Sequence, residues 1–574
     1  MRALRTEPAE RRPISDRLRA WMPIVGLLVL FLLSALASLD AVTTWDEPVY
    51  VMSGASYARW FGTLSRDSLT RASIDRSWGP NHEHPPAAKL AYGVAITLGK
   101  SLGFSALLGV RLVATLLFVT LVGLAGWFVS AHYGRVAGIL TGSALALMPR
   151  VFGDGHLAAL DVPVALAMFA ATMVFVRAGT NGRRAAWAGL LWGVALLTKL
   201  NAVFLPVILV PWALWRFRRR ALLPCLVLLL VGGTTFFAGW PWLWHDTARR
   251  AREYVVNKSE RIEPGERPTG TTTIPVYYFG QTYRECPAPW HYPFVLTLAT
   301  VPVGLLLLSG IGVPAALRTC RRKCVASCVT SPDRKTERGQ VAPSLAQATT
   351  FSFRLGRARQ KRRDDRAGAN PVGLLILGSA LLPMLILAWP SVPKYDGVRL
   401  LMPAFPFIAC LAGIGGAHLW TRGRTGKRAV LAIAAVGALE LAFTHPYELS
   451  YYNEAVGGAW GADKLGLETT YWGDTVTFAV IDYMNEHCPD GSTVILRPPY
   501  LGSLPGLKDS LRVADPGDPA AADFLLLFPR QGYLGAWEKQ AVRERKPMRQ
   551  WTYLAVPQCM LFDLRVQATP GSGS

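Results

Sequence analysis

The chain has 574 residues, of which 51% are apolar and 17% charged, and its formal net charge is +23. This balance, with long uncharged apolar runs, excludes an ordinary soluble enzyme and indicates a polytopic membrane protein. The positive charge does not indicate nucleic-acid binding, because the basic residues form short clusters between apolar runs, as in the cytoplasmic loops of membrane proteins.

The first predicted span covers residues 21–39 and follows a basic cytoplasmic N-terminus, residues 1–20. Ala35-Leu36-Ala37 matches the small-residue pattern of a signal-peptide cleavage site. Membrane helices packed with small residues also produce this pattern by chance. We therefore interpret the run as an uncleaved signal anchor with a cytoplasmic N-terminus, while cleavage stays open.

Two adjacent carboxylates, Asp46 and Glu47, follow this span in the sequence TTWDEPVY, residues 43–50. Acidic side chains at a membrane edge are costly and usually functional. They open a predicted first outer loop, residues 40–105, which also contains NHEHPPAAK at 81–89. We therefore expect the two acids to form the centre of a functional site.

The rest of the membrane region, residues 21–444, contains further apolar runs. Eleven predicted spans cover 21–39, 107–130, 136–153, 162–178, 185–199, 200–216, 221–240, 292–316, 371–389, 399–419 and 428–444. Residues 85–102 form a predicted surface helix, because the lysines at 89 and 100 bracket only about 15 Å of helix, against a hydrocarbon core of about 30 Å. With eleven spans, the basic loops all face the cytoplasm, as the positive-inside rule requires.

Two long loops differ in composition. The loop 317–370 has 14 Lys and Arg and 4 Asp and Glu, and we predict a disordered cytoplasmic segment attracted to anionic lipid. The outer loop 241–290 is rich in Trp, Pro and Tyr. It could form an interfacial aromatic belt or a lid that contacts substrate, and both interpretations stay open.

The C-terminal region, residues 445–574, has only short apolar runs, at 492–496, 522–528 and 553–556, separated by turn residues. This pattern predicts a small α/β extracytoplasmic domain. Cys488 and Cys559 lie in it and could pair in an oxidising compartment.

Several polar residues are predicted to share the outer membrane face with Asp46. A carboxylate there can take a proton from a hydroxyl acceptor, and Lys or Arg can bind a phosphate leaving group. The candidates are Asp154, His156 and Asp161 after the third span, His84 and Lys89 in the first loop, and Lys394, Tyr395, Asp396 and Arg399 in the stretch 390–403.

Plainer roles compete with these assignments. Asp161 could cap a helix, His156 could be a turn residue, and Arg399 could anchor a helix end at the headgroups. Lys199 could extend its ammonium to the headgroups in the same way. His82, Glu83 and His84 form the densest set of side chains able to bind a divalent metal.

The ordered motifs resemble a known group of enzymes, the GT-C-fold protein O-mannosyltransferases and the related lipid A aminoarabinose transferases, over about residues 20–444. The matching residues are Asp46-Glu47, His84-Pro85-Pro86 with Lys89, Asp161 in ALDVP, GVALLTKLN at 193–201 and Arg-Leu-Leu-Met-Pro at 399–403. The resemblance implies a helical GT-C-like membrane fold with surface helices in the first outer loop.

The resemblance also implies a function: transfer of a sugar from a polyprenyl-phosphate donor to a hydroxyl of a protein, lipid or glycan at the outer face of the inner membrane. Asp46 would be the general base, with Glu47 and Asp161 as catalytic neighbours. Lys89 and Arg399 would bind the lipid phosphate, and His84, Tyr395, Asp154 and His156 would contact substrate. No cofactor is required by this reaction, although relatives leave a divalent metal open, and no nucleic acid takes part.

Two other functions are compatible with the sequence. A transporter or lipid flippase could use Asp46 and Glu47 as a proton relay, although the mid-membrane charges and internal repeats typical of transporters are missing. A lipid-anchored scaffold would need only the C-terminal region. The sequence specifies neither the sugar nor the acceptor.

Overall fold

The structure is a computed structural model that describes residues 14–259, 274–284, 287–318, 370–498, 504–515, 518 and 521–565. Most of the predicted basic loop 317–370 lies outside these residues. The chain is mainly helical up to residue 444 and carries a sheet beyond it.

The helices before residue 260 make up most of the predicted first loop and the first predicted spans. They are α1 Ile14–Ala37, α2 Glu47–Gly62, α3 Arg71–Trp78, α4 Ala87–Ser101, α5 Ala106–Tyr133, α6 Arg135–Ala146, α7 Pro149–His156, α8 Asp161–Ala178, α9 Gly182–Leu196, α10 Leu205–Phe217, α11 Leu222–Ala238 and α12 Thr247–Ser259.

A short hairpin, β1 Val276–Tyr278 and β2 Gln281–Tyr283, precedes the second group of helices. These helices are α13 Tyr292–Thr300, α14 Val303–Leu317, α15 Pro371–Ala388, α16 Phe405–Trp420 and α17 Arg424–Thr444. A 3-10 helix, Arg399–Ala404, leads directly into α16.

Among the described residues, five helices are long and apolar enough to cross a membrane, and two bent pairs raise this number to seven. The five are Ala106–Tyr133, Asp161–Ala178, Leu200–Ala238, Pro371–Ala388 and Arg399–Trp420. The predicted class, a multi-pass helical membrane protein, is confirmed. The predicted count of eleven spans stays a prediction, since helices such as α9, with 15 residues, are short for a span.

The helices that follow Asp46 pack closely through glycines. An added Cβ at Gly54 of α2 would lie 2.2 Å from the carbonyl oxygen of Lys89, and one at Gly93 of α4 would lie 2.0 Å from the carbonyl oxygen of Gly54. Because glycine has no side chain, the backbones of the two helices can touch at these positions. This contact fixes α2, and with it Asp46, against the rest of the first loop.

The predicted third span is broken. Helix α6 ends at Ala146 and α7 begins at Pro149 after a bend of 72°. Proline lacks the N–H that an α-helix interior needs but fits the first turn of a new helix. All eight residues of α7 are buried, so the break turns polar side chains of this segment into the protein interior.

The region after residue 444 contains a five-stranded mixed sheet with the order β4-β3-β5-β7-β6. Its elements are α18 Gly458–Lys464, α19 Phe478–His487, β3 Thr493–Arg497, β4 Arg512–Val513, β5 Phe524–Leu527, α20 Ala536–Glu544, β6 Arg549–Tyr553 and β7 Val556–Asp563. β3 is parallel to β4 and β5, and the other pairs are antiparallel.

Two details of this region differ from the prediction. Cys488 and Cys559 are both buried free thiols, so the predicted pairing is wrong. They contribute instead to the apolar cluster between α19 and the sheet. The apolar run 553–556 is the turn between β6 and β7, where Leu554 and Ala555 adopt φ values of 48° and 64°.

Candidate functional site

Asp46 is the first element of the site and immediately precedes α2, whose N-terminus it caps without a side-chain hydrogen bond. Its side chain is 31% exposed. The Oδ2 atom accepts hydrogen bonds from Tyr50 Oη (3.3 Å), Arg399 Nη2 (3.1 Å) and Trp472 Nε1 (3.1 Å). Within the described residues Oδ1 accepts none. One oxygen is therefore held in place by the protein, and the other can accept a proton.

Arg399 is the centre of the charge network, because its guanidinium contacts three carboxylates. Nη2 lies 3.1 Å from Asp46 Oδ2 and 3.2 Å from Asp161 Oδ2, and Nη1 lies 3.0 Å from Asp396 Oδ2. The guanidinium also lies 3.8 Å from the ring centroid of Trp472. The planar fork of arginine suits this bridging position. Arg399 is buried, so the plainer prediction of a headgroup anchor is wrong.

Asp161 and Lys199 form a buried pair behind Arg399, with Lys199 Nζ 2.6 Å from Asp161 Oδ1. Asp161 starts α8 but makes no capping hydrogen bond, so the helix-cap interpretation fails. The Lys199 side chain is only 11% exposed, so it does not extend to the headgroups. The structure thus joins Asp46, Asp161 and Arg399, as predicted, and adds Lys199.

Glu47 points away from this network and is fully buried. Its carboxylate makes two hydrogen bonds with Arg111, at 3.0 and 2.8 Å, and accepts the backbone N–H groups of Thr44 and Ala158 at 2.8 Å each. Burial would raise the pKa of Glu47, but the charge and hydrogen bonds of Arg111 with the backbone donors hold it below its ordinary value. Glu47 therefore holds the turn together in its ionised form.

Sequence reasoning missed Arg111, although a signal was present. Arg111 lies inside the apolar helix α5, where a charge is costly unless it is paired. Besides Glu47, its guanidinium donates to the carbonyl oxygens of Ser38, Ala41 and Val42. Arg111 thus connects the segment after α1 to α5.

The C-terminal region also reaches the site. Arg530, which follows β5, forms an ion pair with Asp396, the carboxylate that also binds Arg399. Glu468 accepts the backbone N–H groups of Gln531 and Gly532 at 2.9 Å each, and burial raises its pKa to about 7. The contacts of Arg530 and Glu468 therefore fix the loop after β5 next to Arg399.

Lys89 and His84 lie in a separate cluster. Lys89 is fully buried, and its Nζ donates to the carbonyl oxygens of Asn81 and His84, at 2.8 and 2.7 Å, and to Tyr57 Oη at 3.1 Å. A phosphate would have to displace these acceptors to reach Lys89. The His84 ring packs edge-on against Tyr50, whose hydroxyl contacts Asp46, so His84 is the nearer of the two to the site.

The predicted metal ligands do not converge. His82 Nδ1 donates a hydrogen bond to the carbonyl oxygen of Gly79, and the ring stacks on Trp242 and lies 3.7 Å from Glu253. Across the described residues, no group of three or more His, Cys, Asp or Glu side chains is placed to hold a metal ion. His82, Glu83 and His84 thus do not form a ligand set.

The remaining predicted contacts lie on α7 and in the loop before Arg399. Asp154 and His156 are buried on α7, so His156 is not a surface turn residue. Electrostatic interactions connect Asp154 with Asp161, Lys199 and Arg399. Tyr395 is half-buried and packs against the main core.

Comparison with known proteins supports the predicted resemblance over part of the chain. A family model described as dolichyl-phosphate-mannose-protein mannosyltransferase matches residues 83–245, less than a third of the chain. The matched part contains His84, Lys89, Asp154, Asp161 and Lys199 but neither Asp46 nor Arg399. No curated protein sequence matches the chain.

Several solved structures of other proteins are distantly similar to this chain. The ArnT protein from Cupriavidus metallidurans bound to undecaprenyl phosphate is 13% identical with a TM-score of 0.45, over 95% of this chain and 98% of that one. The Archaeoglobus fulgidus oligosaccharyltransferase in the apo form is 10% identical with a TM-score of 0.41, over 87% and 69%. The S. cerevisiae protein O-mannosyltransferase Pmt1-Pmt2 complex bound to the sugar donor is 14% identical with a TM-score of 0.28, over 45% and 39%.

Proposed function

We propose that the protein is a membrane glycosyltransferase that transfers a sugar from a polyprenyl-phosphate donor to a hydroxyl acceptor. The similarity to the mannosyltransferase family model supports the class of donor. The observation that carries the proposal is the partly exposed Asp46 carboxylate, held by Arg399 with Asp161 and Lys199 behind it. The reaction would take place at the outer face of the inner membrane, with a cytoplasmic N-terminus and an extracytoplasmic C-terminus.

In this mechanism Asp46 is the general base. Three donors hold Oδ2, so Oδ1 is free to accept the proton of the acceptor hydroxyl. The acceptor oxygen that has lost its proton attacks the anomeric carbon. The bond from that carbon to the phosphate oxygen breaks, and the lipid phosphate leaves. Attack from the opposite face inverts the configuration of the transferred sugar.

The leaving lipid phosphate needs cations, and the structure favours Lys199 and Arg399 over Lys89. Within the described residues, Lys199 Nζ makes one hydrogen bond, to Asp161, and an ammonium has three donors. Two N–H groups of Lys199 can therefore bind phosphate oxygens. The positive charge of Arg399 also stabilises the leaving phosphate, while its guanidinium keeps its contacts with the three carboxylates.

The site does not favour a proton relay. Glu47 keeps its pKa below the ordinary value because Arg111 is fixed against it, so it stays ionised at neutral pH. A relay needs a group that gains and loses its proton during each cycle. We therefore consider the transporter function less well supported than the transferase function.

The test is a transfer assay with the purified full-length protein in lipid. Undecaprenyl-phosphate mannose and undecaprenyl-phosphate glucose, each with a labelled sugar, are incubated with membrane extract as the acceptor source. The proposal requires a labelled product that mass spectrometry identifies as a glycosylated protein, lipid or glycan. Uptake of labelled solute by proteoliposomes without any transfer would support the transporter instead.

A further inference from the structure

Buried polar atoms that have no hydrogen-bond partner among the described residues lie beside the proposed site, on α7 and on the segment 470–475. They include both carboxylate oxygens of Asp154, Arg150 Nη2, Thr470 Oγ1, Asp474 Oδ1 and Thr475 Oγ1. None of these residues is more than 4% exposed. Leaving such atoms unpaired costs folding free energy, and native proteins rarely do so without a reason.

The two elements are fixed against each other. Arg150 Nε donates to the carbonyl oxygen of Tyr451 at 2.9 Å. Its guanidinium lies 4.6 Å from the ring centroid of Tyr452 and 5.1 Å from that of Tyr471. The unpartnered atoms are therefore held in a rigid arrangement that a ligand would find already formed.

The segment 470–475 is also hydrogen-bonded to the stretch of chain that contains Asp46. The backbone N–H of Trp45 donates to the carbonyl oxygen of Trp472 at 2.8 Å. The backbone N–H of Val42 donates to the carbonyl oxygen of Val476 at 3.0 Å. Trp472 itself donates to Asp46. Asp474 thus lies two residues from a side chain that touches the proposed base.

The unpartnered atoms have a defined chemistry. The oxygens of Asp154 and Asp474 accept hydrogen bonds, whereas Arg150 Nη2 donates them. Electrostatic interactions connect Asp154 with both Asp474 and Lys199. Two carboxylates repel a phosphate, and an apolar chain would leave every atom unpaired. A sugar ring with neighbouring hydroxyl groups supplies both donors and acceptors.

We infer that α7 and the segment 470–475 form the subsite for the hydroxyl groups of the transferred sugar, with Asp154 and Asp474 as acceptors and Arg150 as donor. The inference rests on the proposed function. It assigns part of the sugar recognition to the segment 470–475, which lies outside the part of the chain that the family model matches.

Binding measurements on the full-length protein separate the sugar from its lipid phosphate. We would titrate wild type, Asp154→Asn and Asp474→Asn with undecaprenyl-phosphate mannose, undecaprenyl-phosphate glucose and unsubstituted undecaprenyl phosphate. Asp482→Asn, an exposed acid on α19, is the matched control. The two site variants should lose about tenfold or more of the preference for a sugar-bearing lipid over undecaprenyl phosphate, as expected for hydrogen bonds to a charged group. Affinity for undecaprenyl phosphate itself should be unchanged.

Thermal unfolding of the ligand-free variants distinguishes binding from structural support. Replacing an unpartnered buried carboxyl group by an amide should leave the melting temperature unchanged or raise it. A lower melting temperature with equal loss of all three lipids would overturn the subsite. An unchanged preference in both site variants, while wild type transfers sugar, would also overturn it and leave the proposed function standing. No transfer by wild type from either sugar lipid would overturn the function and the subsite together.

Discussion

Asp46 and Arg399 are 353 positions apart in the chain, yet their side chains meet at 3.1 Å between Oδ2 and Nη2. The contact joins the turn after the first predicted span to the 3-10 helix that enters α16. Both ends of the membrane region are therefore needed to build one side of the site. The chemistry assigned to Asp46 depends on this contact.

Replacing Arg399 by lysine tests whether geometry or charge matters. We expect Arg399→Lys to reduce transfer at least about tenfold, because one ammonium cannot reproduce the planar fork that bridges Asp46, Asp161 and Asp396. Initial rates at saturating donor measure the effect. Arg424→Lys, at an exposed position, is the matched control, and equal rates for both variants would show that charge alone is sufficient.

Removing Arg111 tests the structural role of Glu47. Arg111→Met leaves the buried Glu47 carboxylate without its partner, which we expect to cost about 3–5 kcal/mol of stability. The melting temperature of the purified protein and the fraction that elutes as a single species report the loss. Arg66→Met changes an exposed arginine in the first loop, which also contains Glu47, and should change neither quantity. Normal stability of Arg111→Met would assign Glu47 a different role.

Arg530 connects the C-terminal sheet to the site. Because Arg530 pairs with Asp396, which in turn holds Arg399, Arg530→Leu should misplace the guanidinium and lower kcat about tenfold with little change in the donor KM. Arg530→Lys should recover part of the rate. A change confined to KM would instead place Arg530 in donor binding.

His445 should make stability depend on pH. Its hydrogen bond to Glu448 (2.7 Å), with the nearby Asp40 (2.9 Å), raises the pKa of His445. The protonated form stabilises the fold fully below the unfolded pKa of about 6.5, and this contribution is lost as pH rises through the higher folded value. The ring is about one-third exposed, so we expect a loss of about 1 kcal/mol or less.

Melting temperatures between pH 5.5 and 8.5 measure this effect, with those pH limits chosen to span the reference histidine value of about 6.5. His445→Gln should make the decline toward high pH smaller than that of wild type. His487→Gln, at an exposed position of α19, should retain it. A wild-type melting temperature that rises over this range would contradict the assigned role of His445.

Sequence reasoning could identify the acids and cations of the site but not their partners. The charge distribution of the loops assigned Asp46, Asp161 and Arg399 to one membrane face, and the structure brings them into contact. Motif spacing could not show that the Lys89 side chain binds the carbonyl oxygens of its own loop. This contact depends on the positions of the Asn81 and His84 carbonyl groups in the folded chain.

The part played by the C-terminal region could not be predicted for a related reason. Short apolar runs indicate strands, but they do not show which loop of the sheet docks onto the membrane helices. Arg530 contacts Asp396, and Glu468 binds the backbone of the same loop after β5. Such contacts depend on tertiary geometry that has no periodic signal in sequence.

The most direct test of the account is transfer by Asp46→Asn. The amide keeps the size of the side chain but cannot act as the base, so we expect the rate to fall at least about a hundredfold. Asp67→Asn, an exposed acid in the same loop, should retain full activity, and both variants should keep the wild-type melting temperature within a few degrees. A rate for Asp46→Asn equal to that of Asp67→Asn would contradict the assignment of Asp46 as the base.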